Sequence, residues 1–163
     1  MKNLYVLRHA KSSWSFSEFA DDQRPLLEKG KKRTRKTIEF MLKEGVRPEL
    51  MISSHAVRAF ETAKIVAHAL NYKQNSLVVS RFLYSCDADG IFNELFAVSD
   101  DIQSVMVIGH NPTLTNFVNK YLDAPVDYLP TSGLVGIAFE TDKWSELPLA
   151  PARTLFLAFP KEL

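Results

Sequence analysis

The chain has a single cysteine, Cys86, in 163 residues. A lone thiol excludes an internal disulfide framework, and thiolate-rich zinc sites go with it. Charge of one sign is also missing: 20 basic side chains against 19 acidic ones leave a formal net charge of +1. That balance gives no whole-molecule attraction to nucleic acid or to an anionic membrane. Long hydrophobic runs are absent too, all falling far short of the ~20 residues needed to cross a bilayer. The apolar run nearest the N-terminus, Leu4 to Leu7, stops at Arg8, so no secretory core is expected. Repeats, low-complexity tracts and linkers are likewise missing. What is present is an ordinary globular balance of 46% apolar and 24% charged residues. The length predicts one domain over residues 1–163, in a soluble, cytoplasmic protein. Four histidines are left to supply chemistry.

Short apolar runs alternate with helical periods. Leu4–Leu7, Leu50–Ile52, Leu77–Val79, Val105–Ile108, Leu134–Phe139 and Leu155–Phe159 read as six strands, the continuous runs marking burial on both faces. The last two are joined by a loose, proline-bearing connection from Thr141 to Arg153. Ala59, Ala63, Val66, Ala67 and Leu70 form one amphipathic stripe, and Leu114, Phe117, Val118, Tyr121 and Leu122 form another. Asn111 and Pro112 precede the second stripe as N-cap and first helical residue. Further helices are expected from about Pro25 to Lys43 and from about Ala88 to Val98. This alternation predicts an α/β protein: a three-layer α/β/α sandwich around a mainly parallel sheet of about six strands. Ligands in such sheets bind beyond the carboxyl ends of the strands.

The residues at those ends are unusual. Arg8-His9-Ala10-Lys11 follows strand one, Ser53-Ser54-His55-Ala56-Val57-Arg58 follows strand two, and Gly109-His110-Asn111-Pro112 follows strand four. Any one of them alone reads as a solvated turn or a helix start. Three crossings that bring imidazole and guanidinium groups to one edge, with no acid in those turns, predict a strongly electropositive pocket. Helix N-termini would add backbone donors. Such a pocket suits a phosphoryl group, which arginine clamps bidentately. A metal is the competing use of clustered histidines. Neither carboxylate nor thiolate completes a shell here, and the arginines would repel a divalent cation, so no metal and no cofactor are expected.

At this point the motifs resemble a known family. Leu7-Arg8-His9-Ala10, Ser54 with Arg58-Ala59 and Thr62-Ala63, and Gly109-His110-Asn111-Pro112 are similar to those of the histidine phosphatase superfamily, which includes the phosphoglycerate mutases. The resemblance runs from Leu4 to about Phe139 and implies a phosphoglycerate mutase-like fold. Within the superfamily the chain resembles the small SixA-type phosphohistidine phosphatases, sharing their short length and an Arg24-Pro25-Leu26 to Gly30 segment. The resemblance implies that His9 is the nucleophile that becomes phosphorylated. Arg8 and Arg58 would hold the phosphoryl oxygens, and His110 would complete a phosphate-binding set of Arg8, His9, Arg58 and His110. Ala10 stands where the superfamily usually has glycine. Larger members carry a proton-donating acid on an insertion after strand three, where this chain has only the short stretch Ser80 to Asp89. Asp87 and Asp89 are the acids available there, and both read as well as helix caps.

The chemistry of these residue types agrees with that implication. Imidazole attacks phosphorus only when unprotonated, and flanking arginines disfavour the imidazolium. They also offset charge on the phosphoryl oxygens. His110 would donate a hydrogen bond to those oxygens or, if protonated, add positive charge. Water would then release inorganic phosphate. Expelling an alkoxide without a proton donor is costly, whereas imidazole leaves readily. The expected substrate is therefore phosphohistidine on a partner protein, which fits a role in signal transduction. A small phosphomonoester, with Asp87 or Asp89 as the acid, is the alternative, and a non-catalytic phospho-protein binding module is a third reading. No nucleic acid and no membrane partner is expected.

Several residues carry weaker expectations. Lys29 to Lys36 holds six basic residues in eight, either a solvated helix face or a docking patch for an acidic partner. Lys11 is a rim candidate that would steer phosphate. His55 reads as a rim residue, His68 as structural, and Cys86 as a small buried or half-buried side chain. Trp14 and Phe16 would shape the pocket mouth or pack, and Thr131-Ser132-Gly133 would support the site from behind.

Overall fold

The computed structural model describes residues 1–14, 19–73 and 76–163. Six strands form one sheet: β1 (Lys2–Arg8), β2 (Leu50–Ser54), β3 (Leu77–Ser80), β4 (Ser104–Gly109), β5 (Leu134–Phe139) and β6 (Ala152–Ala158). Their spatial order is β3-β2-β4-β1-β5-β6. The β1–β4, β2–β3 and β2–β4 pairs are parallel, while β5 runs antiparallel to both of its neighbours. The helices are α1 (Glu28–Glu44), α2 (Val57–Ala69), α3 (Gly90–Phe96) and α4 (Thr113–Val118).

The strand period of two divides β1 between two cores. Leu4 and Val6 join Ile91, Phe117 and Val118 from α3 and α4 on one face. Tyr5 and Leu7 join Ile38 and Met41 of α1 and Ala59, Ala63 and Val66 of α2 on the other. Helices thus cover both faces, giving the three expected layers. Burying each large aliphatic side chain contributes roughly 1.5–3 kcal/mol, so this central strand is held firmly up to Arg8.

The boundaries differ from the sequence pattern where long-range pairing intervenes. The run in β3 is not buried on both faces: β3 is an edge strand, and Val78 and Val79 are exposed. Helix α1 begins at Glu28 rather than near Pro25, because residues 25–27 pair with the loop after β1. The Ser13 amide donates to the Pro25 carbonyl (2.8 Å), the Leu27 amide donates to the Lys11 carbonyl (3.0 Å), and Ser12 bridges Leu26. Helix α4 starts one residue after Pro112, and Asn111 Oδ1 accepts from the Thr115 amide (3.3 Å). It ends at Val118, not Leu122. Asn119 there exchanges side-chain bonds with the Val126 backbone, and the Lys120 and Tyr121 amides reach back only three residues. The Thr141–Arg153 connection is anchored rather than loose. Its Trp144 is fully buried and donates Nε1–H to the Ile102 carbonyl (2.8 Å). Buried Lys2 lies over the Trp144 ring and donates to the carbonyls of Asp100 (2.5 Å) and Ile102 (2.9 Å). Those bonds offset the cost of burying its charge.

One glycine fixes how α1 meets the loop after β1. A Cβ at Gly30 would lie 2.4 Å from the Lys11 carbonyl oxygen and 2.8 Å from its amide nitrogen, both of them backbone atoms with little room to yield. Gly30→Ala is therefore expected to destabilise the protein by about 1–3 kcal/mol. Thermal unfolding checks this, and an unchanged midpoint would contradict the close approach.

Candidate active site

Strand register assembles the site. Arg8 pairs with Gly109 across β1 and β4, and the His9 amide donates to the Gly109 carbonyl (3.2 Å), so His9 and His110 leave adjacent strands side by side. Their ring centroids are 5.2 Å apart. The antiparallel entry of β5 brings Thr131-Ser132-Gly133 to the same edge, where the Ser132 amide donates to the Arg8 carbonyl (3.1 Å). Ser132 adopts a left-handed φ of 59°, a strained conformation that its neighbours hold in place. Thr34 Oγ1 lies 2.8 Å from its hydroxyl, and Thr37 Oγ1 donates to its carbonyl (2.7 Å). Thr62 links the first two motifs, accepting from the Ala10 amide (2.9 Å) and donating to the Arg58 carbonyl (2.6 Å).

A cleft of about 440 Å³ opens at this edge, lined by Arg8, His9, Lys11, Asp21, Arg24, Arg58 and His110 among others. It brings together the four residues expected there and Lys11. His9 is 7% exposed, and its Nδ1 lies 2.8 Å from the Ala10 carbonyl. A carbonyl can only accept, so the proton of the neutral ring sits on Nδ1 and the Nε2 lone pair is free. Burial, foremost, and then the charges of His110, Arg58 and Arg8 lower the His9 pKa to about 3. Burial and Arg58 lower that of His110 to about 4. His110 Nε2 is bonded to Ser54 Oγ (2.8 Å), which leaves Nδ1 as the ring nitrogen without a protein partner among the described residues. The buried Nε atoms of Arg8 and Arg58 also lack one there. Donors of this kind around a neutral imidazole can hold the oxygens of a tetrahedral anion.

The cleft is less uniformly cationic than the three turns suggest. A 3-10 turn, Asp21–Gln23, carries a carboxylate in from a loop. Asp21 accepts from Arg58 Nη2 (3.1 Å), Arg24 Nε (3.2 Å) and the Tyr84 hydroxyl (2.5 Å). Its backbone carbonyl takes Arg58 Nη1 (2.7 Å). The Tyr84 bond first, then the two arginines, push its pKa below the usual carboxylate value, so Asp21 stays ionised. His55 lies beside this group, pairing with Asp22 (3.3 Å) and meeting the Tyr84 ring edge-on. Trp14 lines the mouth under the Arg24 guanidinium, 3.4 Å from the ring centroid. Asp21, Arg24 and Tyr84 are not singled out by the strand-end argument, whereas Ser54 stands in the turn after strand two. Of those three only Arg24 carries a sequence signal, at the head of the Arg-Pro-Leu segment.

The remaining candidates fall elsewhere. Asp87 caps the start of α3 by accepting the Gly90 amide (2.9 Å), and Asp89 pairs with Lys120; neither lines the cleft. His68 is exposed on α2, Cys86 is half-buried, and Phe16 lies outside the described residues. Among the described residues no group of three or more His, Cys, Asp or Glu is placed to hold a metal ion. No helix there is long and apolar enough to cross a membrane.

The two depressed histidines make a stability prediction. The folded-state values, about 3 for His9 and about 4 for His110, lie below the ordinary 6.5. Between those limits the unfolded chain binds more protons, so stability is complete above pH 6.5 and falls as pH drops towards 3. His9→Asn is expected to make that fall shallower. Thermal midpoints across the window check this, and identical slopes would contradict it.

Fold and cleft together define an α/β protein with an arginine- and histidine-lined cleft at the carboxyl edge of its sheet. The family model described as histidine phosphatase superfamily (branch 1) matches residues 4–79. An uncharacterized chloroplastic protein of Arabidopsis thaliana is 30% identical over 118 residues, which cover 68% of this chain and 54% of that protein. The chain thus spans about half the length of that relative. SixA from Agrobacterium tumefaciens superposes with a TM-score of 0.78 at 25% identity, over 96% of this chain and 97% of that one. A mycobacterial glucosyl-3-phosphoglycerate phosphatase shares the fold at a TM-score of 0.70 and 15% identity, covering 94% and 97%. The chain thus matches the histidine phosphatase superfamily model over residues 4–79 and has the fold of a SixA structure along nearly its whole length. Phosphatase activity is what these likenesses support.

Proposed function

We propose that the protein is a metal-independent phosphatase that works through a phosphorylated His9 and removes phosphate from phosphohistidine on a partner protein. The observation that carries the proposal is the state of His9. Its Nδ1–H is committed to the Ala10 carbonyl, and its pKa of about 3 keeps Nε2 unprotonated at neutral pH. In the first step Nε2 attacks phosphorus and the substrate's imidazole leaves. Arg8 and Arg58 balance the charge on the phosphoryl oxygens, and His110, neutral at pH 7, contributes a hydrogen bond rather than a charge. Water then attacks the phosphohistidine on His9, releasing inorganic phosphate and restoring the lone pair.

The leaving group favours a P–N bond. Asp21 is the carboxylate lining the cleft among the described residues, and its bonds to Tyr84, Arg24 and Arg58 keep it ionised, so it has no proton to give an alkoxide. Imidazole needs less help, because solvent can protonate it. The likeness to SixA supports the same substrate class. Small phosphate esters are the second reading, favoured by the fold shared with the glucosyl-3-phosphoglycerate phosphatase.

Steady-state hydrolysis of a histidine-phosphorylated protein and of simple phosphomonoesters tests the choice. The expected result is the higher kcat/KM on the phosphoprotein; faster hydrolysis of sugar phosphates would overturn it. A chelator such as EDTA is expected to leave the rate unchanged, and strong inhibition would contradict metal independence.

A further inference from the structure

Beyond the cleft that holds His9 lies a second one, also about 440 Å³, lined by Arg8, Arg33, Lys36, Tyr128, Pro130 and Lys161 among others. Arg8, Arg33 and Thr131 line both, so the two lie side by side along the same edge. We propose that this extension is a docking groove for an acidic segment flanking the phosphohistidine of the protein substrate; it rests on the phosphoprotein reading above. Four cations face it, and among the described residues no carboxylate lines it. Arg33, Lys36 and Lys161 make no ion pair among the described residues, while lysines elsewhere pair with nearby acids, as Lys31 does with Glu28 and Lys64 with Glu61. Three unpaired cations around one groove repel one another, and an incoming carboxylate relieves that repulsion.

The geometry also resolves the basic run at the start of α1. Arg33 and Lys36, three residues apart on one helix face, reach the groove. Arg35 instead lines a different depression together with Glu39 and Glu61. Thus one face of the run shares its depression with acids, and the other is aimed at the site.

A protein segment fits this groove better than a nucleic acid. Tyr128, 63% exposed, is the one aromatic lining it, where single-strand binders stack successive bases on several rings. Pro130 and Pro160 give it an apolar wall against which the stems of Asp or Glu side chains can lie. Because Arg8 lines both clefts, an extended chain with its phosphohistidine over His9 would run its neighbouring residues past Arg8 towards these cations.

Binding of a labelled, unphosphorylated peptide tests the groove apart from the chemistry. One peptide carries Glu on either side of a central His and a second carries Gln in the same places. Both are titrated by fluorescence anisotropy against the wild-type chain and against the double variant Lys36→Glu, Lys161→Glu. The wild type is expected to bind the Glu peptide on the order of tenfold tighter than the Gln peptide at low salt, and to lose most of that preference at high salt. The double variant is expected to lose the preference while hydrolysing phosphoramidate at the wild-type rate. Equal binding of the two peptides by the wild type, or a preference that survives in the variant, would overturn the groove. Tighter binding of an oligonucleotide of equal charge would overturn the choice of a protein. Failure of the wild type to hydrolyse phosphoramidate or phosphoprotein would count against the phosphatase reading alone, since the peptide comparison still decides the groove.

Discussion

Replacing His9 with alanine is expected to lower turnover of a phosphorylated protein by about 10³-fold or more, the scale on which loss of a nucleophile acts. The nearest titratable groups among the described residues are engaged elsewhere. His110 uses Nε2 on Ser54, and Asp21 is an ionised carboxylate committed to Tyr84 and two arginines. The loss should fall on kcat, because in the proposed mechanism Arg8 and Arg58 would still hold the phosphoryl group. His9 is itself buried, so folding of the variant is checked by circular dichroism. A folded His9→Ala protein with near wild-type turnover would remove His9 from the chemistry and return the chain to the class of phospho-binding modules.

Arg58→Ala is expected to lower kcat/KM by about 10²- to 10³-fold, as removal of one preorganised donor to a developing negative charge does. Two effects add in the same direction. The variant loses a guanidinium beside the phosphoryl oxygens, and it leaves Asp21 Oδ2 without its 3.1 Å cationic partner in a cleft that must accept an anion. Arg58→Lys restores charge but not the planar fork, so it is expected to recover only part of the activity. The pair Arg58→Ala, Asp21→Ala separates the two effects. Because it removes the unbalanced carboxylate, it should be more active than Arg58→Ala alone. Equal activity of the single and double variants would show that Asp21 does not act on the phosphoryl site through its charge.

What the sequence makes legible here is local. The run Leu4–Leu7 ending at Arg8-His9, and the run Val105–Ile108 ending at Gly109-His110, identify strand and site together, because a buried strand must release its chain at the sheet edge where ligands bind. The antiparallel β5 places Ser132 against Arg8 and His9, a support for which Thr131-Ser132-Gly133 gave a faint sign. Contacts between distant segments are not legible in this way. Pairing of residues 11–13 with 25–27 delays α1 to Glu28, and Asn119 bonding to Val126 ends α4 early. The exposure of Val78 and Val79 follows from strand order, which an apolar run does not encode. Asp21 is the most consequential of these. It sits 37 residues from Arg58 in a loop with no apolar period, and only the folded chain brings its carboxylate to that guanidinium.

That carboxylate alters the reason for expecting phosphohistidine without altering the expectation. Asp87 and Asp89 serve α3 and Lys120, so the short stretch after β3 sends no acid to the cleft. An acid does arrive from another direction, but it is ionised and engaged in binding arginine. Among the described residues the pocket therefore contains a carboxylate, Asp21, that is held ionised and is not placed to serve as a proton donor.

Trapping the phosphoryl group on the enzyme tests the central claim most directly. Wild-type protein is mixed with a histidine-phosphorylated protein carrying labelled phosphate, quenched within a turnover in alkali, and mapped by mass spectrometry. The account predicts a base-stable, acid-labile phosphate on His9, absent from His9→Ala and still formed in the presence of EDTA. Turnover of the same substrate with no label on His9, or with label on another residue, would contradict it.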